Sequence, residues 1–312
     1  MKIVFLDALF EDNVSLEAIS SLGELIKYHN SSPEEAMERV AGAEVVIVNK
    51  VKVTDELMEA AGSGLKLICE AATGVNNIDL EAAARRGIPV KNVAGYSTES
   101  VVQITFSLIF SLICNPERFD REVKDFSYTR RGIFTDVTDP YAELAGKTIG
   151  IVGMGTIGHR VAEVAQAFGL KVIYYSTSGT GHCKDYPCVE MDELLSKSDI
   201  ISIHAPLNPR TDNLIDAPQL AKMKRSAIIV NAGRGGIVNE KALADAISGG
   251  TIAGAGLDVF TKEPLPEEHP LLHTKHPERL RFTPHIAWAS REAIDRLIDG
   301  VADNIKAYLE SR

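Results

Sequence analysis

Residues 150–158 read GIVGMGTIG. Within them, Gly153-Met-Gly155-Thr-Ile-Gly158 fits the pattern G-x-G-x-x-G. The pattern gains weight from its flanks. An apolar strand-like run, TIGIV, leads into it, and a helix-like run, HRVAEVAQAFG (159–169), leads out. In that setting Gly153 permits a tight turn and Gly155 removes a side chain where a pyrophosphate approaches. Gly158 lets helix and strand pack closely. Thr156 and Ile157 open the helix, whose unpaired N–H groups and positive dipole end face phosphate. The stretch reads as the phosphate-binding turn of a dinucleotide fold.

Around it lies a series of apolar runs: KTIGIVG, KVIYYS, DIISIHAP, AIIVNAG, GAGLDVF and RLRFTPH. Helical segments fit between them, including EKALADAISGG (240–250). Six strands with crossover helices predict a doubly wound α/β parallel sheet. An earlier series alternates in the same way. Strands are expected at 2–8, 43–50, 65–71 and 88–93, and helices at 32–43, 54–62 and 79–87, the first capped by Ser32 with Glu35 three residues on. Their nearly continuous apolar runs suit a sheet covered on both faces. Residues 98–142 join the series, beginning with a long apolar helix. An amphipathic helix over 290–312 closes the chain and is expected to return to the first series. The expected division is therefore 1–97 completed by 287–312, and 98–286.

The chain has 312 residues, 45% hydrophobic and 24% charged, with a formal charge of −10. That balance argues against a nonspecific grip on nucleic acid, which needs a basic face. No apolar run approaches the roughly 20 residues of a membrane span, and MKIVFLDALF reads as a first strand rather than a leader. The spacing of His182, Cys183 and Cys188 matches no common zinc pattern, so no metal is expected and the thiols suit the cytoplasm.

At the end of the second strand, where a dinucleotide fold usually carries an acid for the adenosine ribose, the chain has Ser176, Thr177 and Ser178. These could take a ribose hydroxyl or a phosphate. No cation stands beside them in sequence, Lys184 being the first that follows, and the reading leans to NAD, with NADP possible. Arg234, Glu263 and His285 each follow a later strand, so they could converge at the carboxyl edge of the sheet. An Arg among glycines can present its fork to a carboxylate. A His suits proton transfer at neutral pH, and a carboxylate beside it would fix its tautomer.

Five ordered motifs, GIVGMGTIG, HAPLNPRTDNLI, MKRSAIIVNAGRGGIVNE, AGLDVFTKEPLP and TPHIAWAS, make the chain resemble the D-isomer-specific 2-hydroxyacid dehydrogenase family over nearly its whole length. The resemblance implies a Rossmann-like dinucleotide domain, a discontinuous flavodoxin-like substrate domain, a cleft between them, and a homodimer using an arm over 98–142. It implies Arg234 as anchor of a small anionic substrate, His285 as general acid/base and Glu263 as its partner. Thr73 and Gly74 would offer backbone N–H groups to the substrate carboxylate. Trp288 could close over the substrate or pack the hinge. Asp258 would face the nicotinamide amide, and Thr105, His204, Pro206 and Thr211 would line the cofactor. AGYSTESVVQITF (94–106) and TPHIAWAS look closest to the glycerate dehydrogenase/hydroxypyruvate reductase branch. A D-lactate-type activity, a formate-type dehydrogenase and a dinucleotide-sensing scaffold of corepressor type are the competing expectations. The formate type usually lacks the Glu.

Overall fold

A computed structural model describes residues 1–10, 14–137 and 140–311. Thr138 and Asp139 of the expected arm and Arg312 of the expected last helix lie outside the described residues. Two compact units form, Met1–Ser97 with Ala289–Arg312, and Thr98–Trp288.

The first unit holds strands β1 (Lys2–Phe5), β2 (Glu24–Lys27), β3 (Val45–Val48), β4 (Leu67–Glu70) and β5 (Val90–Lys91). All pair in parallel, in the order β2-β1-β3-β4-β5. This is the flavodoxin-like order. The inner strands β3 and β4 are buried along their whole length, as the apolar runs require. Ser32 caps its helix through Glu35 N–H, and the Glu35 carboxylate accepts from Ser32 N–H in return. β2 was not read from the sequence. It is an edge strand, ELIK, charged at both ends and buried nowhere, so it carries no apolar signal. The last helix, Arg291–Glu310, belongs to this unit. Arg296 Nε donates to Tyr96 O at 2.9 Å, and Gly300 lies so near Val93 that a Cβ would come within 2.5 Å of it.

The second unit holds β6 (Thr148–Val152), β7 (Lys171–Tyr175), β8 (Ile200–Ile203), β9 (Ile228–Asn231), β10 (Gly254–Leu257) and β11 (Leu280–Phe282). The parallel order is β11-β10-β9-β8-β6-β7. Beyond β7, Cys188 makes a single parallel bridge to Tyr174, with Val189 N donating to Tyr174 O at 2.9 Å. That rudimentary strand completes the dinucleotide-fold order, with its reversal between β6 and β8. The helix Thr98–Ile113 covers one face of this sheet, with Phe106 and Ile109 buried against Ile149 and Ile151. No single described helix is long and apolar enough to cross a membrane.

Candidate active site

The glycine turn lies at the switch between β6 and β8. Gly153 has φ +91°, and a Cβ there would approach His204 O at 2.8 Å. A Cβ on Gly158 would come within 2.1 Å of Gly153 O. These two positions must be glycine for strand, turn and helix to meet. Gly155 differs, for a Cβ there would meet nothing within 4 Å, so the space over it is open. Gly155 is also the N-cap of the helix Thr156–Ala167 and supplies no side-chain cap. The first-turn N–H groups are thus left for an external acceptor. Beside them, His204 shares a 2.8 Å hydrogen bond with Ser202 Oγ through Nε2, while its buried Nδ1 has no partner among the described residues. Burial pushes its pKa down to about 4, so the ring is neutral at physiological pH. An open glycine cradle, unpaired helix N–H groups and an orphaned imidazole nitrogen all fit a dinucleotide.

The NAGRGG turn after β9 is pinned by Asn231, which is 2% exposed. Its Nδ2 donates to Arg234 O at 2.8 Å, and its Oδ1 accepts from Gly233 N at 3.0 Å. Gly235 packs so tightly that a Cβ would lie 2.0 Å from Phe260 O. The turn is therefore locked against the segment that follows β10, which fixes where Arg234 starts. The Arg234 guanidinium bonds only its own turn, Nη1 to Gly233 O at 2.8 Å, and pairs with no carboxylate among the described residues.

His285 follows β11 with φ +55°, a left-handed conformation that a non-glycine residue adopts only when its surroundings impose it. Asp258, at the end of β10 and 1% exposed, imposes it. Its Oδ1 accepts from Thr283 Oγ1 at 2.5 Å and Ile286 N at 2.9 Å, and its Oδ2 from Ala287 N at 2.9 Å. His285 N donates to Asp258 O at 2.7 Å. Burial raises the Asp258 pKa, against the opposing pull of these donors. His285 Nδ1 meets Glu263 Oε2 at 2.7 Å, and Glu263 Oε1 accepts from Phe260 N at 2.9 Å. The carboxylate thus holds the ring with Nδ1 as donor, and Nε2 is left to exchange a proton.

Sequence reasoning foresaw neither Asn231 as a brace nor Asp258 as the clamp on the His285 loop. Two matched spacings carried the second signal, Asp just after one strand and T-P-H-I-A just after the next.

The Thr105 hydroxyl is fully buried and donates back into its own helix, to Val101 O at 2.8 Å. The Thr211 hydroxyl turns inward to Pro206 O at 2.6 Å, stapling the loop after β8. Pro206 is exposed on that loop, and Trp288 is half-buried. In the first unit, Thr73 and Gly74 follow the carboxyl end of β4, and Asn92 Nδ2 holds Thr73 O at 2.6 Å.

Residues 106–287 match the family described as D-isomer specific 2-hydroxyacid dehydrogenase, NAD binding domain. The chain is 36% identical to a glycerate dehydrogenase of Methylorubrum extorquens, covering 100% of this chain and 97% of that one. It is 35% identical to a hydroxypyruvate reductase of Blautia hydrogenotrophica, covering 99% and 97%. Among solved structures, a D-lactate dehydrogenase from Aquifex aeolicus in complex with NAD and lactic acid superposes with a TM-score of 0.83 at 29% identity, covering 100% and 96%.

Proposed function

The chain belongs to the D-isomer-specific 2-hydroxyacid dehydrogenase family, and on that premise we propose that it interconverts a small 2-oxo acid and its D-2-hydroxy acid, with hydroxypyruvate and D-glycerate as the preferred pair and glyoxylate as a second substrate. It is an oxidoreductase of CH–OH groups that works with a nicotinamide dinucleotide. When bound at the glycine turn, a reduced nicotinamide dinucleotide would supply the hydride that C2 of the oxo acid accepts.

The chain's own residues do the rest. Arg234 binds the substrate carboxylate and polarises the ketone, a task suited to a planar fork on a braced turn. His285 delivers a proton from Nε2 to the carbonyl oxygen as it becomes an alkoxide, leaving a neutral ring and a hydroxyl. Glu263 holds Nδ1 and fixes the orientation of the ring. The carrying observation is the 2.7 Å contact between His285 and Glu263 on a loop that Asp258 clamps. For Thr73 and Gly74 we retain the role of backbone donors to the carboxylate, supported by their position after β4. Glu263 argues against a formate-type reaction, which has no ketone to protonate. The relatives carry enzyme names, so the scaffold reading has no support among them.

The proposed assembly is a homodimer using the arm over 98–142. Its support is the apolar surface that arm exposes, Phe134 at 91%, Val137 at 72% and Phe126 at 60%. The proposed compartment is the cytoplasm, in keeping with four free cysteines.

Initial rates with hydroxypyruvate, glyoxylate, pyruvate and a branched 2-oxo acid test the substrate assignment. Hydroxypyruvate should give the highest kcat/KM. A preference for pyruvate or the branched acid would replace it with a lactate-type assignment.

A further inference from the structure

The adenosine ribose, the part of the dinucleotide that distinguishes its two forms, has its determinants after β7. The turn Ser176-Thr177-Ser178 stands where an acid would bond a ribose hydroxyl and repel a 2′-phosphate. Ser176 Oγ and Ser178 Oγ lie 3.0 Å apart, and both reach Thr180 O, at 2.6 and 3.3 Å. Two hydroxyls share one acceptor. The longer of these bonds is weak, and Ser178 Oγ can turn to a better acceptor at small cost. The Thr177 hydroxyl bonds nothing among the described residues.

A cation distant in sequence joins this turn. Arg210, on the loop after β8, places Nη1 3.4 Å from Ser178 O. Its own backbone is fixed, because Arg210 N donates to Asn208 Oδ1 at 2.9 Å and Thr211, 1% exposed, staples the loop next to it. The guanidinium pairs with no carboxylate among the described residues, so its fork is available. Lys184 lines the opening in front of Gly155 and Thr156. The acid in the same lining, Asp185, is engaged by His159 at 3.0 Å.

We infer that Ser176, Thr177, Ser178 and Arg210 form a receptor for the 2′-phosphate of the adenosine ribose, so that the chain binds NADP(H) more tightly than NAD(H). The inference rests on the dinucleotide reading of the site and reverses the lean to NAD drawn from the sequence. A guanidinium and hydroxyl donors stabilise a phosphate dianion by charge-assisted hydrogen bonds. The same turn offers a ribose 2′-hydroxyl no carboxylate to donate to.

The test is calorimetric titration of NADPH, NADH, 2′,5′-ADP and 5′-AMP into the wild-type protein and into Arg210→Gln and Arg210→Glu. NADPH should bind at least about tenfold more tightly than NADH, and 2′,5′-ADP more tightly than 5′-AMP by a similar factor. Arg210→Gln should shrink both ratios to within about threefold, and Arg210→Glu should invert them. NADH binding as tightly as NADPH in the wild type, or ratios unmoved by both substitutions, would overturn the receptor and leave the dinucleotide reading intact. Failure of both dinucleotides to bind would overturn that reading and the receptor with it.

Discussion

At the scale of single residues, Asp258 illustrates how a buried charge positions chemistry elsewhere. It touches three donors spread over Thr283–Ala287 and thereby holds His285 in a backbone conformation the residue would otherwise avoid. Asp258→Ala removes the acceptors and leaves the Ala287 N–H buried without a partner, which costs about 1–3 kcal/mol. The expected outcome is a fall in kcat of about 100-fold or more together with a lowered Tm. A variant with normal kcat would show that the loop holds itself. Arg234 makes the second residue-scale prediction. Arg234→Lys should lose most of kcat/KM, because an ammonium on the same braced turn cannot reproduce the planar fork. A near-normal kcat/KM would remove Arg234 from the anchoring role.

At the scale of elements, the carboxyl ends of strands carry both the chemistry and an ionisable liability. Glu70 ends β4 fully buried, with one oxygen held by Asn77 Nδ2 at 2.8 Å and the other unpartnered among the described residues. Burial, with the charge of Asp7 adding to it, pushes its pKa up to about 8. In the unfolded chain this carboxyl loses its proton near its ordinary 4.5, whereas the folded chain keeps it until about pH 8. The unfolded state therefore binds fewer protons between these values, and stability falls as pH rises across that window. The slope is at most about 1.4 kcal/mol per pH unit. Melting curves from pH 5 to 9 should show Glu70→Gln gaining on the wild type up to about pH 8 and holding its lead beyond. Parallel curves would mean that Glu70 is charged throughout.

For the molecule as a whole, legibility followed burial and proximity in sequence. The glycine turn, the six strands around it and the inner strands of the first sheet were readable, because a strand buried on both faces is an unbroken apolar run. β2 was not readable, since an edge strand such as ELIK looks like any polar loop. The rudimentary strand at Cys188 has too few residues to show a pattern. In the site, Glu263 and His285 were legible as a pair because each lies in the loop that follows its own strand, at the same edge. The approach of Arg210 to Ser178 was invisible, for it depends on two loops 32 residues apart meeting beyond the sheet. The inward turns of Thr105 and Thr211 were equally hidden, because residue type does not say whether a hydroxyl serves a ligand or its own backbone.

The proposed chemistry turns on His285 as the proton donor that Glu263 and Asp258 set in place. Its most direct test is the single-turnover rate of hydroxypyruvate reduction by wild type and His285→Gln, with dinucleotide binding followed in parallel by fluorescence. The expected result is dinucleotide affinity within a few-fold of wild type and a reduction rate lower by about 100-fold or more. A reduction rate within a few-fold of wild type, in a variant that binds the dinucleotide normally, would contradict it.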